Sequence, residues 1–132
     1  MFWLKPTDVA YDQRYPDGIT TVMYEAQRYY RQELGKTFKL NSVVVEVVNG
    51  DHDRNWYITN GCTTSDHYWC VVFNMQNELI RRLGLKSPDS RLVNVGEISA
   101  EEVNQSGGGG WALLSGPDAD GAAGINGAMN RW

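Results

Sequence analysis

The side chains able to do chemistry in this 132-residue chain are few and far apart. There are two histidines, His52 and His67, two cysteines, Cys62 and Cys70, and three neighbouring carboxylates, Glu97, Glu101 and Glu102. Asp51-His52-Asp53 offers one imidazole and two carboxylates, donors that a divalent cation accepts. A solvated turn is the stronger reading for three polar residues that follow Asn49-Gly50. His67 lies 15 positions further on, in a different element. No Ser-His-Asp or Cys-His order can be assembled from these positions. Glu97, Glu101 and Glu102 follow a strand, where a pair of acids could act on a glycosidic bond, but such a pair needs a defined separation. An acidic loop explains them more simply.

Two glycine motifs invite a phosphate reading. Gly35-Lys36-Thr37 has the ending of a phosphate-binding loop, yet that pattern needs a glycine where Tyr30 stands and must lie between a strand and a helix. Here it follows a helix, so a helix stop explains it. Gly107–Gly110 could cradle an anion through its amides. It leads into a strand instead of a helix, and glycines there let another backbone approach closely.

Cys62 and Cys70 are eight positions apart. Two free thiols and a disulfide are both open. A disulfide would stabilise the fold by about 2–3 kcal/mol and imply an oxidising compartment. A two-cysteine zinc site would need further ligands at suitable spacing, and the sequence supplies none.

Composition narrows the function classes. The formal net charge is −4 and the Lys and Arg residues are scattered, which argues against nucleic acid, because phosphate contacts need clustered cations. The longest apolar run, Val43–Val48, contains Glu46, so nothing resembles a membrane-spanning segment. Met1–Pro6 lacks the basic and apolar regions of a signal peptide, leaving location open. One domain over 1–132 is the simplest reading, and a chain of this length can bury roughly two-thirds of its unfolded surface.

Those residues need elements to position them. Phe2-Trp3-Leu4 suits a short strand ending near Pro6. Tyr15-Pro16-Asp17-Gly18 reads as a turn, with Asp17 capping a helix. Ile19, Val22, Met23, Ala26, Tyr30 and Leu34 then recur at helical spacing, and Gly35 supplies the left-handed stop. Val43–Val48 reads as a central strand with Glu46 near an edge or end. His52–Thr64 reads as a surface loop anchored by Trp56 and Tyr57.

A second helix begins near Ser65 or Asp66, presents Trp69, Val72, Phe73, Gln76, Leu79, Ile80 and Leu83 on one face, and stops at Gly84. Arg91–Val95 is a short strand, and Trp111–Leu114 is the last. The fold class that follows is α/β: a mixed, twisted sheet of about four strands with two main helices. Its early strands are parallel through right-handed crossovers.

In order, the Leu4-Lys5-Pro6-Thr7-Asp8 opening, Gln27-Arg28-Tyr29-Tyr30 through Leu34-Gly35, Thr37-Phe38-Lys39-Leu40, Gly50-Asp51-His52, Trp56-Tyr57, Leu92–Val95 and the glycines before Trp111–Leu114 carry a likeness to a known family. Together they resemble the N-terminal part of zincin-type zinc metallopeptidase domains, especially small bacterial metzincin-like ones.

The resemblance implies an α+β zincin-like fold and a single but incomplete subdomain. The zinc-binding His-Glu-x-x-His helix of that family would follow the Gly-rich segment, and this chain contains no His-Glu pair. It therefore implies no catalytic or metal residues here, and zinc only where that helix is present. It assigns Gly110, Trp111, Ala112, Leu113 and Leu114 to an edge strand that pairs with peptide or protein substrate. It favours a secreted or cell-surface location. The competing expectation is a carbohydrate- or protein-binding module that uses exposed Trp56, Trp111 and neighbouring tyrosines.

Overall fold

The chain opens with a strand whose alternating side chains enter two different cores, in a computed structural model that describes residues 1–63, 67–85, 92–100 and 109–113. This strand is β1 (Phe2–Lys5), and it is followed by α1 (Arg14–Leu34), β2 (Glu46–Asn49), α2 (Arg54–Thr59), α3 (His67–Leu83), β3 (Asn94–Ile98) and β4 (Gly109–Leu113). The fold is a mixed α/β arrangement with strand order β2-β1-β3-β4. β1 runs parallel to both β2 and β3, and β4 runs antiparallel to β3.

Because a strand sends successive side chains to opposite faces, Phe2 and Leu4 pack with Val48, Tyr57, Val71, Val72, Met75 and Leu79 under α2 and α3. Trp3 goes the other way, to Ile19, Val44 and Val45 under α1. The indole is fully buried, and its Nε1 donates to Ser99 Oγ at 2.9 Å, so the buried polar atom is satisfied.

Several expectations need correction. The turn read at Tyr15–Gly18 is the first turn of α1, with Gln13 as N-cap in place of Asp17. Pro16 is tolerated there because first-turn N–H groups have no partner within the helix to lose. The apolar stripe of α1 is also less buried than its spacing predicts. Ile19 is buried, Met23, Ala26 and Tyr30 are half-buried, and Val22 and Leu34 are each 65% exposed. Length accounts for Leu34: 21 helical residues span about 31 Å, against about 13 Å for a four-residue strand, whereas Val22 lies beside buried Ile19 on the outer flank of the stripe. The C-terminal half of α1 outruns the sheet and meets the segment after it. Tyr30 packs edge-on against Phe38, Gln27 Nε2 donates to the Phe38 carbonyl, and Thr37 Oγ1 donates to the Gln27 carbonyl. Gly35 adopts φ 65° and ends the helix with its N–H on the Arg31 carbonyl.

Val43–Val48 is not a central strand. β2 starts at Glu46 and stands at one end of the strand order, while β1 and β3 occupy the middle. Val44 and Val45 are buried outside the strand, spent on closing the core over Trp3, and Val43 is exposed.

The His52–Thr64 segment holds a third helix, α2, where a loop is expected. Asp53 caps it, accepting from Trp56 N at 2.8 Å, and Tyr57 reaches the core. The buried face of α3 is rotated from the expected one: Val71, Val72, Met75 and Leu79 are buried, together with Asn74 and Glu78, while Phe73 is exposed. β3 starts three residues later than Arg91, so Glu97 lies within a strand and not in the loop after it.

Candidate functional site

Two places collect functional groups: the edge formed by β4, and a polar cluster where β1 and β2 end. At the edge, β4 pairs with β3 in the register Asn94–Leu113, Val95–Ala112, Gly96–Trp111, Glu97–Gly110 and Ile98–Gly109. Gly110, Trp111, Ala112 and Leu113, assigned by resemblance to a substrate-aligning strand, thus lie in the strand at the end of the order. Leu114 falls outside the described residues.

The polar cluster is built on α3. Glu78 is buried and its carboxylate is shared by three donors. Tyr57 Oη donates at 2.5 Å, Asp51 N at 2.9 Å and Arg82 Nη1 at 2.8 Å. Arg82 Nη1 also reaches the Asn49 carbonyl at 2.5 Å and Asp51 Oδ1 at 3.2 Å. Arg81 completes the Asp51 carboxylate at 2.7 Å. A second set of bonds holds the other end of α2, where Asn74 Nδ2 donates to the carbonyls of Tyr57 and Asn60, both at 2.9 Å.

Electrostatics follow from this wiring. The hydrogen bond from Arg81 holds the Asp51 carboxyl below its ordinary range. Burial, then the bond to Glu78, pushes the Tyr57 phenol well above its ordinary value. The Arg82 guanidinium is raised, first by its bond to Glu78. A buried carboxylate is costly unless its lone pairs are filled. Here two of the three donors come from outside α3, Tyr57 from α2 and the Asp51 amide from the turn after β2, while Arg82 is one turn along α3 itself. Glu78 therefore fastens the Asn49–Asp51 turn and α2 to α3.

The candidates read from the sequence are placed as follows. Asp51-His52-Asp53 does not converge on a cation: Asp51 is engaged by two arginines, Asp53 caps α2, and His52 stacks on Trp56 with ring centroids 3.6 Å apart. His67 opens α3. Cys62 and Cys70 are joined in a disulfide that ties the end of α2 to the first turn of α3. Gly35-Lys36-Thr37 ends α1, as a helix stop would. Glu97 sits in β3 opposite Gly110, and Glu101 and Glu102 fall outside the described residues. Trp56 is half-buried with one face against His52, and Trp69 is half-buried near Phe73.

Sequence reasoning missed Glu78, Asn74 and Arg82. Glu78 and Arg82 are one helical turn apart on the face that carries Val71 and Met75. An acid inside an apolar stripe, with a base four residues later, was the available signal.

Among the described residues, no group of three or more His, Cys, Asp or Glu side chains is placed to hold a metal ion. A zinc ion does not fit these residues. No helix among them is long and apolar enough to cross a membrane. Comparison with protein-family models, with curated proteins and with solved structures returns no match.

Proposed function

We propose that this chain is the non-catalytic, substrate-aligning framework of a zinc-peptidase-like domain, with a zincin-like α+β fold and a twisted mixed sheet. The observation that carries the reading is the antiparallel β4 at the end of an otherwise parallel sheet. It falls on the residues that the family likeness assigns to holding a peptide. Support also comes from the element order, with a long helix after β1 that stops at Gly35 before the chain turns back to β2.

Strand addition needs only main-chain amides and carbonyls on an edge. The reading asks nothing of the titratable side chains, and the sequence contains no His-Glu-x-x-His for water activation. Its partner is an extended peptide or protein segment. It carries with it a secreted or cell-surface location, where a bond such as Cys62–Cys70 persists.

The test is a titration with an extended, β-branched peptide and with its twin N-methylated at alternate residues. Binding of the first and at least about a tenfold loss with the second is the expected result, since methylation removes the ladder donors but keeps the side chains. Equal binding of both twins would remove strand addition. Peptide cleavage by the purified chain, or one zinc ion per chain surviving chelation, would contradict a non-catalytic role.

A further inference from the structure

Tyr11 and Tyr15 both lean on the buried indole of Trp3. Tyr15 stacks on it at 5.0 Å with an interplanar angle of 13°, and Tyr11 meets it at 5.9 Å with a tilt of 46°. Trp3 has no exposed surface, whereas Tyr11 is 54% and Tyr15 38% exposed. Each of these partly exposed rings is thus held against an immobile one, Tyr15 nearly parallel to it and Tyr11 tilted. The three residues between them are polar, and these bond with one another, with Tyr11 and with Asp17. Tyr11 Oη donates to Gln13 Oε1 at 2.5 Å, Gln13 Nε2 donates to Asp17 Oδ1 at 2.8 Å, and Arg14 makes a fork with both oxygens of Asp12. The segment follows the carboxyl end of β1, which lies between β2 and β3 in the strand order. In open parallel sheets this is the end where ligands bind.

From this arrangement we propose a carbohydrate subsite at Tyr11–Asp17, separate from the β4 edge. A pyranose ring presents a flat face of C–H groups and a rim of hydroxyls. The first matches a pre-oriented tyrosine ring, and the second matches carboxylates that accept, a guanidinium that donates and an amide that does both. Ring stacking costs little conformational entropy here, because Trp3 has already ordered the tyrosines. Other ligand classes fit less well. Two rings offer far less than the roughly 800 Å² per partner of a stable protein interface. The carboxylates of Asp12 and Asp17 repel a phosphate backbone. The Arg14 fork holds Asp12 down at about 2, so that carboxylate stays ionised, an acceptor for sugar hydroxyls across ordinary pH.

The experiment follows backbone amides and the Trp3 indole N–H by NMR. The full chain is titrated with cellotetraose, xylotetraose, chitotriose and mannotriose. The expected result is a saturable shift confined to residues 11–18 and Trp3 with at least one probe. Tyr11→Ala should weaken that binding at least tenfold while leaving the thermal unfolding midpoint near its original value. Tyr15→Phe, which keeps the stack on Trp3, should bind within a few-fold of the parent. No shift with any of the four probes overturns the proposal. So do shifts centred elsewhere, unchanged binding by Tyr11→Ala, or the same shifts from a proline-rich peptide.

Discussion

Gly50 leaves room for the hydroxyl of Tyr57. A Cβ built on Gly50 would lie 2.5 Å from Tyr57 Oη and 3.2 Å from the Lys5 carbonyl oxygen, while the Gly50 N–H donates to that same carbonyl at 2.7 Å. The turn leaving β2 is therefore pressed between the end of β1 and the phenol that α2 sends to Glu78. Gly50→Ala is expected to destabilise by about 1–3 kcal/mol, because one of the two obstructing atoms is backbone. A denaturant midpoint unchanged from the parent would disprove the tight fit.

Tyr57→Phe removes the obstructing hydroxyl but also one of the three donors to the buried Glu78 carboxylate. On its own it should cost about 1–3 kcal/mol. In the double variant with Gly50→Ala part of the clash is gone, so the two losses should add to less than their sum by at least about 0.5 kcal/mol. A double-mutant cycle by urea unfolding measures this directly, and strict additivity would mean the two residues do not press on each other.

The same tyrosine sets an alkaline limit. Its native pKa lies above the unfolded value of about 10, so the folded state holds the phenol proton more tightly. By linkage this contribution is complete below the unfolded pKa and is lost as pH rises through the native one. Stability should decline above about pH 10, and Tyr57→Phe should show a shallower decline over that range. Spectroscopic titration of the parent against Tyr57→Phe should show the Tyr57 phenol un-ionised until the chain unfolds. Ionisation of all seven tyrosines in the folded state would refute the assignment.

Reduction of Cys62–Cys70 should cost about 2–3 kcal/mol, the entropy of the short loop it closes in the unfolded chain. The loss is expected to be local at first. Hydrogen exchange should rise at the end of α2 and the start of α3, with β1 and β3 still protected, because Asn74 and Glu78 keep their own grip on α2. Uniform acceleration across the sheet would show that the bond supports the whole fold.

Ser99→Ala should cost about 1–3 kcal/mol, since it strands the indole N–H of a fully buried Trp3. Trp3→Phe leaves a cavity and carries its own cost, but with the indole N–H gone Ser99→Ala should cost less in that background than in the parent. Thermal unfolding of the three variants decides the point.

The parts of this fold legible from the chain are those fixed by local chemistry. Gly35 and Gly84 mark helix ends because a positive φ is cheap only for glycine, and both adopt it. The apolar content of Phe2–Leu4 marks a strand by itself. What stayed hidden depends on partners distant in sequence. Val43–Val45 has the composition of a strand, yet two of its valines close the core over Trp3 as irregular chain. The orientation of α3 could not be taken from hydrophobic spacing, because Asn74 and Glu78 face inward for the sake of Tyr57 and Asn60. For the edge strand, Trp111–Leu113 was readable as extended chain, but its direction against β3 is set by topology alone.

The central position of β1 governs how the molecule can be made. β1 is synthesised before both strands that flank it, β2 on one side and β3 on the other, and Trp3 waits for a serine 96 positions later. At cellular synthesis rates of about 5–20 residues per second, that interval lasts roughly 5–20 s. Throughout it, Phe2, Trp3 and Leu4 have only part of their shelter, so newborn chains carry an uncovered apolar segment until the sheet closes around it.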